Sequence, residues 1–185
     1  MSTRISAQEI EVSDGFIIDQ WDIEDGLPAN SVADILQSEN GYLWLATFNG
    51  LVRFDGLRIK TFQTDSYSSM PSNRFNQILE ANDGTLWLKT EQRYLVRFQD
   101  ELFERIDFEK GLGNDFVNYL HKDKSGVLWF STDSGITRYD GNSIELFHPE
   151  LIDFGVGWVF PLENGELWFL DQSNQKVFRF SKNSL

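Results

Sequence analysis

Gly41-Tyr42-Leu43-Trp44, Gly84-Thr85-Leu86-Trp87, Gly126-Val127-Leu128-Trp129 and Gly165-Glu166-Leu167-Trp168 are copies of one quartet, Gly-x-Leu-Trp. Their tryptophans are 43, 42 and 39 residues apart. A period of this length decides the architecture before any local assignment, because each unit buries its apolar face only by stacking on the next. An Arg and an aromatic follow each Trp by 9 to 11 residues: Arg53-Phe54, Arg97-Phe98, Arg138-Tyr139 and Arg179-Phe180. Before each Gly stands a polar turn residue, Asn40, Asp83, Ser125 or Asn164. Such a pair between apolar segments is a strong hairpin signal.

Read outward, unit one runs from Ser31–Gln37 through the Asn40-Gly41 turn into the apolar segment 42–47. The turn Phe48-Asn49-Gly50 leads to Leu51–Phe54, and Asp55-Gly56 leads to the alternating segment 57–62. Val32, Ile35 and Leu36 also fit helical spacing, but so short a segment does not hold a helix by itself, and a strand is expected. Four short antiparallel strands in 40 to 45 residues with a Gly-aromatic signature are the blade of a β-propeller. The fold class is therefore all-β, a propeller of four four-stranded blades. Trp44, Trp87, Trp129 and Trp168 are expected to fill the space between blades. Arg53, Arg97, Arg138 and Arg179 are expected to be structural by the same symmetry, pairing with an acid or stacking on a ring of the next unit.

The 185 residues carry 16 Lys and Arg against 29 Asp and Glu, a net charge of −13. A polyanion is therefore an unfavourable partner, which argues against nucleic acid and against membrane contact by this segment. Hydrophobic residues make up 41% and aromatics 15%, enough packing material for a folded core. No cysteine is present, so there is no disulfide, thiolate metal site or thiol nucleophile. No apolar run approaches the ~18 residues a membrane span needs, and residues 1–20 hold nothing more apolar than Phe16-Ile17-Ile18. Residues 1–13 are expected to be a flexible lead-in and 14–185 a single propeller domain.

The repeat has a phase. Phe16–Trp21 resembles the outer strands 57–62, 102–106 and 143–147, while unit four stops after its third strand. The N-terminal strand is therefore expected to complete the last blade, so that no sheet edge is left open. Three arrangements satisfy this count: a closed four-bladed ring, two chains whose half-rings join into a larger one, or a stretch of a longer array whose ends self-associate.

The strings WDIEDGLPANSV at 21–32, NGYLWLATFNGLVRFDG at 40–56 and the corresponding residues of unit three resemble the two-component regulator propeller repeat. Unit two departs with Gln92-Arg93-Tyr94 at its second turn, and unit four enters with Phe154-Gly155-Val156-Gly157-Trp158. The resemblance implies the extracytoplasmic, periplasmic sensor part of bacterial receptors whose output is a histidine kinase or a diguanylate cyclase. It implies binding or assembly in place of catalysis. A stand-alone interaction propeller and a polysaccharide-cleaving propeller enzyme are the alternatives.

His121 and His148 lie in different units, with no Cys or third His to make a metal cluster, and no P-loop or G-x-S-x-G occurs. Asp22-Ile23-Glu24-Asp25 lacks the alternating spacing of a calcium loop. No catalytic residue, metal or cofactor is expected. A ligand, a small molecule or glycan, would meet the funnel face built from the loops entering each innermost strand and those joining second to third strands. The entry loops carry Asn30, Ser31, Asn73, Arg74, Asn114, Asp115 and Trp158, and the other turns Phe48, Asn49, Glu91, Arg93, Asp133 and Ser134. Recurring Asn30, Asn73 and Asn114 suit turn backbone. Arg74 and Arg93 break the symmetry and suit an anionic group, and Trp158 and Phe48 suit a sugar or apolar ring, with Asn49, Glu91 and Asp115 beside them. Self-association through propeller edges is the expected protein contact. Trp129→Ala is expected to cost ~3–5 kcal/mol in a denaturant titration, as removal of a buried ring.

Overall fold

Where each polar-Gly step reverses the chain, two apolar segments pair as antiparallel strands. A computed structural model describes residues 8–12, 16–114, 116–149, 152, 154–173 and 175–181. Blade one is β3 (Val32–Gln37), β4 (Leu43–Thr47), β5 (Gly50–Phe54) and β6 (Ile59–Phe62), preceded by the hairpin β1 (Gln8–Val12) and β2 (Phe16–Gln20). Blade two is β7 (Phe75–Glu80), β8 (Leu86–Thr90), β9 (Leu95–Gln99) and β10 (Leu102–Ile106). Blade three is β11 (Val117–Lys122), β12 (Leu128–Thr132), β13 (Gly135–Tyr139) and β14 (Ile144–Leu146). Blade four is β15 (Val156–Pro161), β16 (Leu167–Asp171) and β17 (Val177–Phe180). Each blade is an antiparallel meander, innermost strand first, and the ambiguous segment of unit one is the strand β3.

The register joins the two sequence signatures. Trp44 lies opposite Arg53, Trp87 opposite Arg97, Trp129 opposite Arg138 and Trp168 opposite Arg179. Each pair shares a sheet face, where cross-strand neighbours interact most strongly. The arginines find partners in their own blades, not on a ring of the next. Arg97 meets Glu104 at 2.7 Å, Arg138 meets Glu145 at 3.4 Å, Arg179 meets Glu166 at 3.8 Å, and Arg53 lies 4.6 Å over Tyr42. Glu104 and Glu145 stand directly opposite Arg97 and Arg138 on the outer strands, which makes the partner within the sheet nearer than any across it.

The core lies between sheets. Trp44, Ala46, Leu51 and Phe62 of blade one pack on Phe75, Ile78, Leu88 and Val96 of blade two. Trp87 and Leu95 pack on Val117, Leu120, Leu128 and Phe130 of blade three, and Trp129 and Ile136 on Val156, Val159 and Phe169 of blade four. Blades one to three thus each turn a tryptophan-bearing trailing face onto the leading face of the next.

A bulge recurs in each innermost strand, between Val32 and Asp34, Phe75 and Gln77, Val117 and Tyr119, and Val156 and Val159. An extra residue there re-aims the side chain that follows it. Asp34 Oδ2 accepts the Ile78 N–H at 2.9 Å, and Gln77 both accepts the Leu120 N–H at 3.1 Å and donates to its carbonyl at 2.8 Å. Tyr119 stacks on Trp158 at 5.0 Å. One register position therefore stitches each blade to the next.

The second turn shows why glycine recurs. Gly50 has φ +133° and a Cβ on it would stand 2.7 Å from the Phe62 carbonyl oxygen. Unit two has no glycine there: Tyr94 holds the register place of Gly50, and Arg93 just before it adopts φ 67°, a left-handed conformation that costs a non-glycine residue about 1–2 kcal/mol.

Two expectations about the N-terminus are corrected. Gln8–Val12, placed by sequence in a flexible lead-in, is a strand paired in register with Phe16–Gln20; residues 1–7 and 13 lie outside the described residues. The strand expected to complete blade four pairs with β1 instead, and among the described residues blade four has three strands. Among the described residues the face of blade one that carries Ile35 and the face of blade four that carries Val177 are both left exposed, at 60% and 65% for these two residues. A partner a few residues away costs far less closure entropy than one at the other end of the chain.

Phe62 is fully buried against Trp44, Tyr67, Phe98 and Phe103, whereas Leu57 on the same hairpin is 79% exposed. Phe62→Ala is expected to cost ~3–5 kcal/mol in urea unfolding, and Leu57→Ala to stay within about 0.5 kcal/mol.

Candidate funnel site

The funnel face is assembled where the second turn of one blade meets the entry loop of the next. Gly50 N–H donates to the Asn73 carbonyl at 2.7 Å, and Val117 N–H to the Arg93 carbonyl at 2.7 Å. Within these loops Asn30, Asn73 and Asn114 each accept a backbone N–H, from Ile23, Thr64 and Phe116. Asn49 also ties backbone, donating to the Pro28 carbonyl at 3.0 Å.

At the first seam the Arg74 guanidinium lies 4.7 Å over the Phe48 ring and forms a bidentate pair with Glu91. The Arg74 side chain bonded to Glu91 holds that carboxyl below the usual glutamate value. At the second seam Arg93 lies 5.0 Å over Phe116, donates to both oxygens of Asp133 at 3.0 Å, and donates to Asn118 Oδ1 at 2.8 Å. Asn118 in turn donates to Asp133 at 3.0 Å and to the Val156 carbonyl at 2.9 Å. Lys89 donates to the Asn118 carbonyl at 2.9 Å, and burial pushes its ammonium below the usual lysine value, with the Arg93 cation adding to the effect. The network spans blades two, three and four.

Sequence pairs Arg74 and Arg93 with an anionic ligand; in the structure each already faces a carboxylate, so a ligand anion would have to displace Glu91 or Asp133. The extra residue in the second turn of unit two, visible as Gln92-Arg93-Tyr94, is what carries Arg93 across to blade three. Phe116, Asn118 and Lys89 complete the network and were not singled out by sequence. Asn118 is the extra residue of its bulge and could have been found only by aligning that position, which Ala33 and Asn76 hold in units one and two. Asp115 lies outside the described residues.

Trp158 stands apart from the polar rim. Stacked on Tyr119, it borders an apolar groove of about 540 Å³ with Phe160, Leu162, Trp168 and Val177. His121 lies 6.1 Å from Phe160, and burial pushes its imidazole below the usual histidine value, against the opposing pull of Asp123. Among the described residues no three His, Asp or Glu side chains converge to hold a metal ion.

The profile of the two component regulator propeller matches residues 26–49, 69–92 and 111–134, each running from a blade's entry loop to its second turn. Three of the four blades thus match the two-component regulator propeller repeat. No curated protein sequence matches the chain. In fold these repeats are similar to the extracellular domain of a protein described as a hybrid two component system, BT3049 of B. thetaiotaomicron. That match has 20% identity and a TM-score of 0.64 and covers 83% of this chain and 21% of that one. The extracellular domain of BT4673, described as a one component system of the same organism, matches at 17% identity and TM-score 0.62, covering 94% and 28%. Virginiamycin B lyase of Staphylococcus aureus matches at 16% identity and TM-score 0.60, covering 95% and 63%. The chain thus spans between about a fifth and two thirds of the length of these relatives. Identities this low establish a shared propeller fold and nothing about activity.

Arg74→Ala is expected to return the Glu91 carboxyl toward its ordinary value of about 4.3 in a carboxyl-carbon NMR titration. Because the folded value lies below the unfolded one, the stability this pair contributes is complete above that pH and is lost as pH falls through the folded value.

Proposed function

We propose that this chain is a non-catalytic, extracytoplasmic sensor module of a bacterial two-component or diguanylate cyclase receptor, and that its funnel rim takes a neutral polar ligand such as a glycan. The repeat family and the fold shared with extracellular receptor domains support the receptor reading. One observation carries the ligand class. The exposed cation Arg74 is neutralised by Glu91 while the same group lies over the face of Phe48. A ring beside matched donors and acceptors suits hydroxyl groups on a flat sugar face better than a charged solute. The enzyme reading has less support, because His121 packs beside Phe160 on the apolar side and takes no part in the rim network.

Titrating isotope-labelled protein with chitotetraose and xylotetraose is expected to move the amide signals of Asn49, Arg74, Glu91 and Arg93, with the sugar recovered intact. Phe48→Ala is expected to abolish those shifts without changing the fold. Silence at the rim with both sugars at millimolar concentration would overturn the ligand class, and cleaved sugar in the mass spectrum would overturn the non-catalytic reading.

A further inference from the structure

We infer that two copies of this chain join head to tail, blade four of each packing on blade one of the other, to close one eight-bladed ring. The chain makes the interblade contact three times, always trailing face on leading face, and among the described residues its two complementary halves stand exposed on blade four and blade one.

On the trailing side, Trp44, Trp87 and Trp129 are buried by the blade that follows, whereas Trp168 is 37% exposed. Val177 holds the cross-strand place of Leu51, Leu95 and Ile136. Those three are fully buried, and Val177 is 65% exposed. On the leading side Ile35 holds the place of Ile78, Leu120 and Val159, which are 3%, 1% and 0% exposed against 60% for Ile35. Its N–H is satisfied by the neighbouring Asp34 carboxylate, where Ile78 and Leu120 take their bond from the preceding blade. The apolar groove bordered by Trp158 and Trp168 is one half of the repeated interface, and the β3 face is the other.

The N-terminal segment shows that the leading face is built to receive a preceding blade. Trp21 meets Phe54 edge-on at 5.2 Å. Phe62 from the outer edge of blade one meets Phe98 edge-on at 5.2 Å, and Phe147 from that of blade three meets Phe180 at 5.1 Å. Trp21, directly after β2, therefore stands where the outer strand of a preceding blade ends. Among the described residues β2 pairs only with β1, and β17 only with β16, so each has a free edge. In the ring β2 of one copy adds to β17 of the other and completes its fourth blade. Because the interface is heterologous, only a partner presenting the same repeat geometry fits, and a second copy of this chain presents it at both ends. The inference is independent of what the rim binds.

Sedimentation velocity and light scattering on the full chain across micromolar concentrations are expected to give twice the 21.4 kDa chain mass. Ile35→Arg and Val177→Arg lie at solvent-exposed positions of the single chain and are expected to fold normally by circular dichroism. Each is expected to weaken association by on the order of 100-fold. Mixed together the two variants are expected to recover a two-chain species, because one retains an intact trailing face and the other an intact leading face. A single-chain mass at every concentration would overturn the proposal and leave these faces to further blades of a longer polypeptide. A two-chain species indifferent to both variants would overturn the head-to-tail contact, and a ladder of larger species would overturn closure by two copies.

Discussion

A four-stranded blade has two apolar faces and no means of burying either alone, so the stability of this protein resides in the contact between consecutive sheets. The large ring in that contact is always the Trp of the Gly-x-Leu-Trp quartet. In blades one to three it lies under the leading face of the following sheet. The rest is arranged to let that contact repeat. Hairpins with polar-Gly turns hold the Trp opposite an Arg, and outer-strand acids keep two of those arginines within their own sheets. A bulge aims one side chain per innermost strand at its neighbour.

The same constraint separates positions that must stay constant from those free to vary. The bulge position changes from Asp34 to Gln77, Tyr119 and Trp158, moving from a carboxylate accepting a backbone bond to stacked rings, yet it bridges to the next blade wherever one is present. At the funnel rim the chain uses its irregularities. The longer second turn of unit two strains Arg93 into a left-handed conformation and delivers it to Asp133 and Asn118. Strain of this kind persists only where surrounding bonds hold it, which here they do across three blades.

Much of the fold was legible because repetition removes ambiguity. A single segment such as Ser31–Gln37 fits either helix or strand, but it is too short to hold a helix by itself, and the first strand of every blade forms there. The rim was legible in part. Symmetry-breaking residues pointed to Arg74 and Arg93, but their carboxylate partners lie 17 and 40 residues away in sequence, and no local pattern reveals such pairings. The ends were the least legible. The spare N-terminal strand was counted correctly, but the presence of β1 beside it was not foreseen, since a short alternating segment such as Gln8–Val12 becomes a strand only when a neighbour supplies its hydrogen bonds.

By itself, the sequence determined the unit, its strands, the interblade place of Trp44, Trp87 and Trp129 and the resemblance to two-component regulator propeller repeats. All of these follow from residue types at a fixed period. Only the tertiary structure decided which cations are neutralised at the rim and that, among the described residues, the outward faces of blade one and blade four are exposed where the equivalent faces of the other blades are buried. These depend on distances between residues far apart in the chain, and such distances are set by how whole sheets pack.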